Sequence, residues 1–328
     1  MKVGILAAGS IAHLMARTIR MMKENGEDVE LYAIASREEE KAAQFAREEA
    51  VQKAYGSYEA MLADDQVELV YIASPHSHHA EHMKACIAHG KPILCEKAFT
   101  ANAAQAEEVL NLAKQKNVFV TEAIWPRYMP SRGLIDELVR SGIIGEVRAV
   151  TGCLGYKIDH IPRIRLPELA GGALLDVGVY PITFASMVLG SQLKAVRGSA
   201  VLMETGVDLQ DSITLEYPDG KAALLSATAA GVNDRVGCII GTRGFIEVTN
   251  INNPEYLRVF HAENREKPIW EAPVPPQLTG YEYEVRACQR ALSEGRLECE
   301  EMPHAETLRV MRVMDELRGQ FGVRYPFE

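Results

Sequence analysis

The stretch Lys2-Val3-Gly4-Ile5-Leu6-Ala7-Ala8-Gly9-Ser10-Ile11-Ala12 decides the fold. Residues 3–7 form a short apolar run without polar alternation, as in a strand buried on both faces. The run passes directly into a helical pattern, with Ile11, Met15, Ile19 and Met22 at helical spacing. Gly9 and Ala12 fit the second and third positions of G-x-G-x-x-G/A, and Ala7 stands at the first. That motif lets the backbone approach a pyrophosphate closely, with the phosphates on the helix N-terminus. The motif is weak alone and gains weight from its place after the first strand of an alternating pattern.

The alternation continues outward. Residues 31–35, 69–73, 93–95 and 118–120 read as further buried strands. Residues 38–49, 78–89 and 101–116 read as helices, the last capped by Thr100. Strands alternating with helices imply a doubly wound parallel sheet. After about Glu122 the pattern changes. One helix ends at Gly142, and strands then dominate at 147–152, 195–203, 212–217, 222–227, 237–240 and 245–248. Pro218-Asp219-Gly220 is a turn signal, so its flanking strands pair antiparallel. Two helices, 281–293 and 305–321, close the chain, and residues 268–276 read as a surface connection. The expected fold is α/β: a Rossmann domain over 1–121, then an α+β domain over 122–328 with a large, mainly antiparallel open sheet.

Composition narrows the class. The chain has 328 residues, 47% hydrophobic and 24% charged, ordinary values for a globular protein with a sizeable core. A net charge of −10 argues against nucleic acid or an anionic membrane as partner. The cysteines, 86, 95, 153, 238, 288 and 299, form no C-x-x-C and no disulfide framework, which points to a reducing cytoplasm. No uninterrupted apolar run approaches the ~18 residues of a membrane span. Gly4, Gly9, His13, Arg17 and Arg20 argue against a signal peptide at the start.

Four further segments could carry chemistry. Ser36-Arg37 ends the second strand, where an NAD-selective fold usually places Asp or Glu. A hydroxyl and a guanidinium fork there suit a ribose 2′-phosphate; the competing reading is a solvated Arg opening the acidic run 38–40. Four histidines lie at 76, 78, 79 and 82, after Ser74-Pro75. Only 78 and 82 are spaced i, i+4, and no ordered Cys or Asp completes a ligand set, so no metal is expected. A loop flanking a nucleotide at the carboxyl edge of the sheet is the favoured role. Glu96-Lys97 follows a buried strand, which aims Lys97 at the ligand crevice rather than into a surface ion pair. Gly171-Gly172 precedes Asp176 and Tyr180, which share one face if a helix starts there. Asp176 as a plain N-cap and Tyr180 as a core aromatic is the alternative.

These segments together resemble the Gfo/Idh/MocA family of NAD(P)-dependent oxidoreductases nearly end to end. The resemblance rests on ILAAGSIA (5–12), IASREEEKAAQFA (34–46), VYIASPHSHHAEH (70–82), GKPILCEKAFT (90–100), GIIGEV (142–147), GGALLDVGVYPI (171–182) and PHAETLRVMRVMDELR (303–318). Glu96-Lys97-Ala98 corresponds to the family's E-K-P, and Asp176 to Tyr180 to its D-x-x-x-H/Y. The stretch EAIWPRY (122–128), with Tyr at 180, is similar to a branch of dihydrodiol dehydrogenases, NADP-dependent xylose dehydrogenases and glucose–fructose oxidoreductases. Two departures stand out: Ala7 for a glycine and Ala98 for a proline.

The resemblance implies a cofactor held by Ala8, Gly9, Ser10, Ile11, Ser36, Arg37, Ala73, Ser74, Pro75, His76, His79, Glu96 and Lys97, with NADP(H) preferred over NAD(H). It implies a nicotinamide between the domains, with Lys97, Asp176 and Tyr180 at the reacting carbon, and a homodimer through the C-terminal sheet. Hydride would pass to or from a secondary alcohol carbon of a sugar, polyol or trans-dihydrodiol. Tyr180 is the candidate base; a free phenol has a pKa near ~10, and a neighbouring cationic Lys97 would lower it. Lys97 as the proton carrier is the other assignment. Asp176 would orient Lys97 or grip a substrate hydroxyl. Trp125, Arg127 and Tyr156 line the substrate pocket or pack at the domain junction. Two rival functions use the same fold: a nicotinamide-dependent glycosidase, and a non-catalytic NADP(H)-binding regulator.

Overall fold

The computed structural model describes residues 1–328, which form two compact units. The first comprises Met1–Trp125 and Gln277–Leu308; the second comprises Pro126–Pro276 and Arg309–Glu328. This departs from a division at 121/122, because residues 277–308 pack with the N-terminal part.

The first unit holds a six-stranded parallel sheet in the order β3-β2-β1-β4-β5-β6. Its strands are β1 (Lys2–Leu6), β2 (Glu30–Ala35), β3 (Lys53–Tyr55), β4 (Leu69–Ile72), β5 (Ile93–Glu96) and β6 (Val120–Ala123). Helices α1 (Ser10–Glu24), α2 (Glu39–Glu49), α3 (Tyr58–Leu62), α4 (His76–Ala88) and α5 (Ala103–Lys116) alternate with them. Strands β4, β5 and β6 are buried throughout, which is why they read as unbroken apolar runs. The strand order reverses between β1 and β4, and a crevice at such a switch point is the ligand position of open α/β sheets.

Local details correct several expectations. The run 118–120 is mostly approach, and the strand proper is β6. Helix α5 is capped by Asn102, whose Oδ1 accepts from Gln105 N at 2.9 Å; Thr100 donates instead to the Asn102 carbonyl at 2.7 Å. The short β3 and α3 carried no clear periodic signal.

The second unit holds an eight-stranded sheet, ordered β14-β13-β12-β11-β7-β10-β9-β8. These are β7 (Val147–Gly155), β8 (Ala195–Leu202), β9 (Asp208–Glu216), β10 (Ala222–Thr228), β11 (Gly237–Gly241), β12 (Gly244–Val248), β13 (Tyr256–His261) and β14 (Trp270–Pro273). All neighbours pair antiparallel except β7 and β10. The turn at Pro218-Asp219-Gly220 joins β9 to β10 as expected, with Tyr217 N donating to Lys221 O at 3.0 Å. The stretch 268–276 is not a bare connection, because it contains the edge strand β14.

The helices of this unit are α6 (Pro130–Arg140), the short α7 (Pro162–Arg165) and α8 (Val179–Leu189). Helix α8 packs on β7, β10 and β11, covering one face of the sheet. Burial accordingly alternates along β7 and β10. The segment Pro167–Leu189 is apolar enough by composition to cross a membrane, yet 83% of its most apolar window is buried, so it reads as a core element.

Helix α9 (Glu282–Ser293) shows why residues 277–308 join the first unit. Arg286 grips Glu27 with two bonds, 2.9 and 2.6 Å, and Gln289 Nε2 donates to Asp28 O at 2.8 Å. Glu282, buried at the helix start, accepts from the backbone of Leu278, Thr279 and Gly280 at 2.7–3.0 Å. Leu297 O then accepts from Val120 N at 3.0 Å. Helix α10 (His304–Phe321) closes the chain and is divided between the units at Leu308/Arg309.

Candidate active site

In the first unit, the candidate cofactor residues sit at or just beyond the carboxyl ends of β1, β2, β4 and β5. The β1–α1 turn is built for a main-chain contact. Ala7 has φ +79°, the left-handed conformation that a glycine adopts at lower cost. Its N–H stays in the sheet, donating to Ala35 O at 3.0 Å. Gly9 precedes α1 with φ −90° and no side-chain cap. A Cβ there would lie 3.7 Å from Ala73 O, an ordinary contact. Neither conformation nor packing within the chain requires glycine at 9. Its missing side chain leaves the helix N-terminus bare, with Gly9 and Ser10 exposed and no acidic residue in the first turn. The positive end of the helix is thus open to a diphosphate.

At the end of β2, Ser36 is buried and its Oγ accepts from Glu38 N at 3.3 Å. Burial raises the pKa of the Tyr58 phenol, and the charge of exposed Arg37 pulls it back. The charge of Arg37 also reaches His78 and His82. Burial pushes both imidazoles down, His82 to about 4, and the Arg37 charge adds to the effect. The corner therefore combines a fixed cation, a phenol and two imidazoles, and it has the donors a phosphate needs.

The histidine-rich segment begins α4 behind Pro75. Several of its ring nitrogens have partners within the protein. His78 Nδ1 lies 2.9 Å from Ser77 Oγ, and His82 Nδ1 lies 2.9 Å from Ser74 Oγ. His76 is buried and meets His79 edge-on, with ring centroids 5.7 Å apart. His79 is fully buried. Its Nε2 lies 2.7 Å from Ser74 O and its Nδ1 2.9 Å from Ala98 O. A neutral ring donates to one of these at a time. Burial pushes its pKa down to about 4, against the pull of the Ser74, Ala98 and Phe99 carbonyls. His79 thus ties the loop after β4 to the loop after β5.

That second loop carries Lys97. The Lys97–Ala98 peptide is cis. Phe99 N donates to Glu122 Oε1 of β6 at 3.1 Å, and buried Glu96 accepts from the Tyr71 hydroxyl of β4. Lys97 itself is half-buried. Strand register fixes its place: Cys95 pairs with Ile72 and with Glu122. Trp125 is buried and stacks on Tyr281, with ring centroids 4.3 Å apart at 22°.

In the second unit, Asp176 and Tyr180 lie on one continuous helical run. Leu174–Gly178 is a π-helical turn leading into α8. Such turns recur at functional sites. Asp176 lies inside this turn, whose N-cap is Ala173, and its Oδ1 accepts from Arg163 Nη1 of α7 at 2.5 Å. Arg163 was missed in the sequence, where Pro162-Arg163 carries no signal of its own. Asp176 and Tyr180 are both buried, at 7% and 8% exposure. The glycines before them are required by space. A Cβ at Gly171 would lie 2.6 Å from Ile164 O, and one at Gly172 (φ +116°) would lie 2.3 Å from Asp208 Oδ1. Arg127 is half-buried. Tyr156 is held in place: its hydroxyl accepts from Asn252 Nδ2 at 2.8 Å, and Arg235 stands 5.8 Å over its ring.

A Rossmann unit with a bare helix N-terminus, joined to a unit carrying a buried Asp–Tyr pair, defines the architecture of a nucleotide-dependent oxidoreductase. The sequence comparisons agree. Residues 1–124 match the Gfo/Idh/MocA oxidoreductase family's NAD-binding Rossmann fold, and residues 134–247 match the family's C-terminal domain. The chain is 34% identical over 330 residues to trans-1,2-dihydrobenzene-1,2-diol dehydrogenase of Xenopus tropicalis, covering 99% of each. It is 31% identical to the human protein of that name, covering 98% of this chain and 97% of the other. Among solved structures, the 3-ketoreductase KijD10 of Actinomadura kijaniata, with NADP and TDP-benzene, shares the fold at TM-score 0.87 and 24% identity, covering 97% of each chain. A levoglucosan dehydrogenase complexed with NADH and levoglucosan does so at TM-score 0.85 and 20% identity, covering 98% of this chain and 97% of the other. The chain belongs to the Gfo/Idh/MocA family and is an oxidoreductase with an NAD(P)-binding Rossmann fold.

Proposed function

We propose that the protein is an NADP(H)-dependent dehydrogenase acting on a secondary alcohol carbon of a trans-dihydrodiol, sugar or other small polyol. The observation that carries the reading is the buried Asp176–Tyr180 turn, in a chain similar along its whole length to dihydrodiol dehydrogenases. When bound, the nicotinamide supplies the hydride acceptor or donor. Tyr180 takes the hydroxyl proton in the oxidation direction, and Lys97 donates a hydrogen bond to the developing alkoxide. Arg163 compensates the buried charge of Asp176, which frees Asp176 to grip a neighbouring substrate hydroxyl. A vicinal diol or sugar offers that second hydroxyl. Arg127 and the fixed ring of Tyr156 are proposed to line the substrate side, with Trp125 as an aromatic wall.

The preference for NADP(H) rests on Arg37, whose charge reaches Tyr58 and His78, and on Ser36 at the position where an NAD-selective fold usually places an acid. Titration with NADPH and NADH, followed by nicotinamide fluorescence, tests it. NADPH is expected to bind on the order of tenfold or more tightly, and Arg37→Ala to remove most of that preference. Equal binding of the two nucleotides overturns the cofactor assignment and leaves the oxidoreductase standing. A screen of trans-diols, cyclic sugars and acyclic polyols with NADP then tests the substrate class; turnover confined to other substrates refutes it. We also propose a homodimer through the uncovered face of the eight-stranded sheet, and a reducing cytoplasm as its setting. Leu224, 54% exposed on β10, supports the first, and six free cysteines support the second. Gel filtration with light scattering reads the oligomer directly.

A further inference from the structure

We infer that Asp208 and Asp211 of β9 hold a single proton between them, and that this buried acid–carboxylate pair positions the turn carrying Asp176 and Tyr180. The functional part of this inference rests on the reading of that turn as the catalytic one.

Residues three apart on a regular strand point to opposite faces. Here they do not, because the β8–β9 ladder is irregular. Val201 pairs with Gln210, but Leu202 pairs with Asp208, so Leu209 is an extra residue in β9. This bulge brings Asp208 and Asp211 to one face, and both are wholly buried there. Their carboxyls are within hydrogen-bonding reach of each other. Asp208 Oδ2 accepts from Leu174 N at 2.5 Å, at the first residue of the π-helical turn. Asp208 Oδ1 and both Asp211 oxygens are enclosed without a donor from the rest of the protein. Two adjacent carboxylates cannot both ionise in such a place, whereas one shared proton satisfies the facing oxygens. Burial raises both groups, Asp211 the more because the Asp208 charge adds to it.

The charged and titratable groups facing the pair come from the chain's end. Arg318 of α10 lowers Asp208, and it is itself held by Asp315 and Glu328. The Tyr325 phenol, pushed up by burial, donates to Gly171 O at 2.8 Å, one residue before Gly172. Gly172 has no room for a Cβ against Asp208 Oδ1. The Gly171–Leu174 backbone is therefore clamped between Tyr325 and Asp208, and Asp176 follows two residues later.

The test combines three readouts on the full chain. Infrared difference spectra at neutral pH, wild type minus Asp211→Asn, are expected to show loss of one protonated-carboxyl band; an unchanged band overturns the shared proton. Glu284, another buried acid raised by its burial, is present in both samples and cancels. Hydrogen exchange over residues 171–180 is expected to lose protection in Asp208→Ala and keep it in Asp208→Asn, whose amide oxygen still accepts from Leu174. Unchanged protection in Asp208→Ala overturns the positioning role. Should Asp208→Ala not fold, Asp208→Leu, of similar size and without an acceptor, replaces it. In turnover, Asp208→Ala is expected to lower kcat on the order of tenfold while NADPH binding holds, and Asp208→Asn to restore most of it. If the wild type turns over no polyol, the catalytic reading has failed, and the infrared and exchange results still decide the pair.

Discussion

The turn between β1 and α1 and the turn before α8 solve opposite problems. The first is shaped by what it lacks: Gly9 adds no side chain, no cap closes the helix, and the diphosphate recognition proposed for it falls to main-chain N–H groups. The second is crowded, with Gly171 and Gly172 pressed against Ile164 and Asp208, Leu174 N bound to Asp208, and Asp176 bound to Arg163. A site that recognises through backbone is specified by a few neighbouring residues. One that acts through side chains is specified by partners far along the chain. Mutations should therefore act locally at the first turn and propagate at the second.

The largest effect is expected inside the crowded turn. Tyr180→Phe removes the proposed base and should lower kcat by about 10³-fold, within the range for lost general base catalysis. NADPH affinity, measured by fluorescence, should be unchanged. Loss of both together would mean that the two turns act as one.

The next effect separates the buried staple of the first unit from its surface. The pKa of His79, about 4, lies below that of a free imidazole. The sign follows: the folded state resists protonation, so its contribution is present above about pH 6.5 and lost as pH falls through about 4. Urea denaturation between pH 7 and 4 should show wild type losing about 3 kcal/mol more than His79→Gln. Parallel pH curves would contradict a buried neutral ring.

A smaller effect is expected at the Arg163–Asp176 ion pair. Arg163→Ala strands a buried carboxylate, but the arginine is 45% exposed, so the cost should be about 1 kcal/mol rather than that of a buried pair. Asp176→Asn in the same chain should recover that stability without recovering kcat. A double-mutant cycle with zero coupling would show that the ion pair contributes nothing.

The smallest effect belongs to the open turn. Ala7→Gly relieves a left-handed alanine at the cost of a looser unfolded chain, a net gain of at most about 1 kcal/mol in thermal unfolding. A loss of stability would mean that the Ala7 methyl packs usefully.

Much of this molecule was legible along the chain. The strand–helix alternation of residues 1–120 and the Pro218-Asp219-Gly220 hairpin follow from neighbours in sequence, and periodicity reports neighbours. The cap of α5 was placed two residues early because Thr100 and Asn102 both suit an N-cap, and only the backbone path chooses. The strands β13 and β14 were missed where an edge strand follows turn-rich sequence. The burial of His79 was not legible, because its depth depends on the loop after β5, nineteen residues on. Arg163 had no signal, since its partner is an acid thirteen residues away.

The fold class and the family were legible in the sequence alone, and the residues proposed to meet a nucleotide were picked out by motif and spacing. The tertiary structure alone decided that residues 277–308 return to the first unit, since that depends on Arg286 meeting Glu27 across 259 positions. It alone set the depth of His79 and the partner of Asp176. It alone placed two aspartates side by side, because a single extra residue in β9 reverses which face they take, and no local pattern records a bulge that a neighbouring strand imposes.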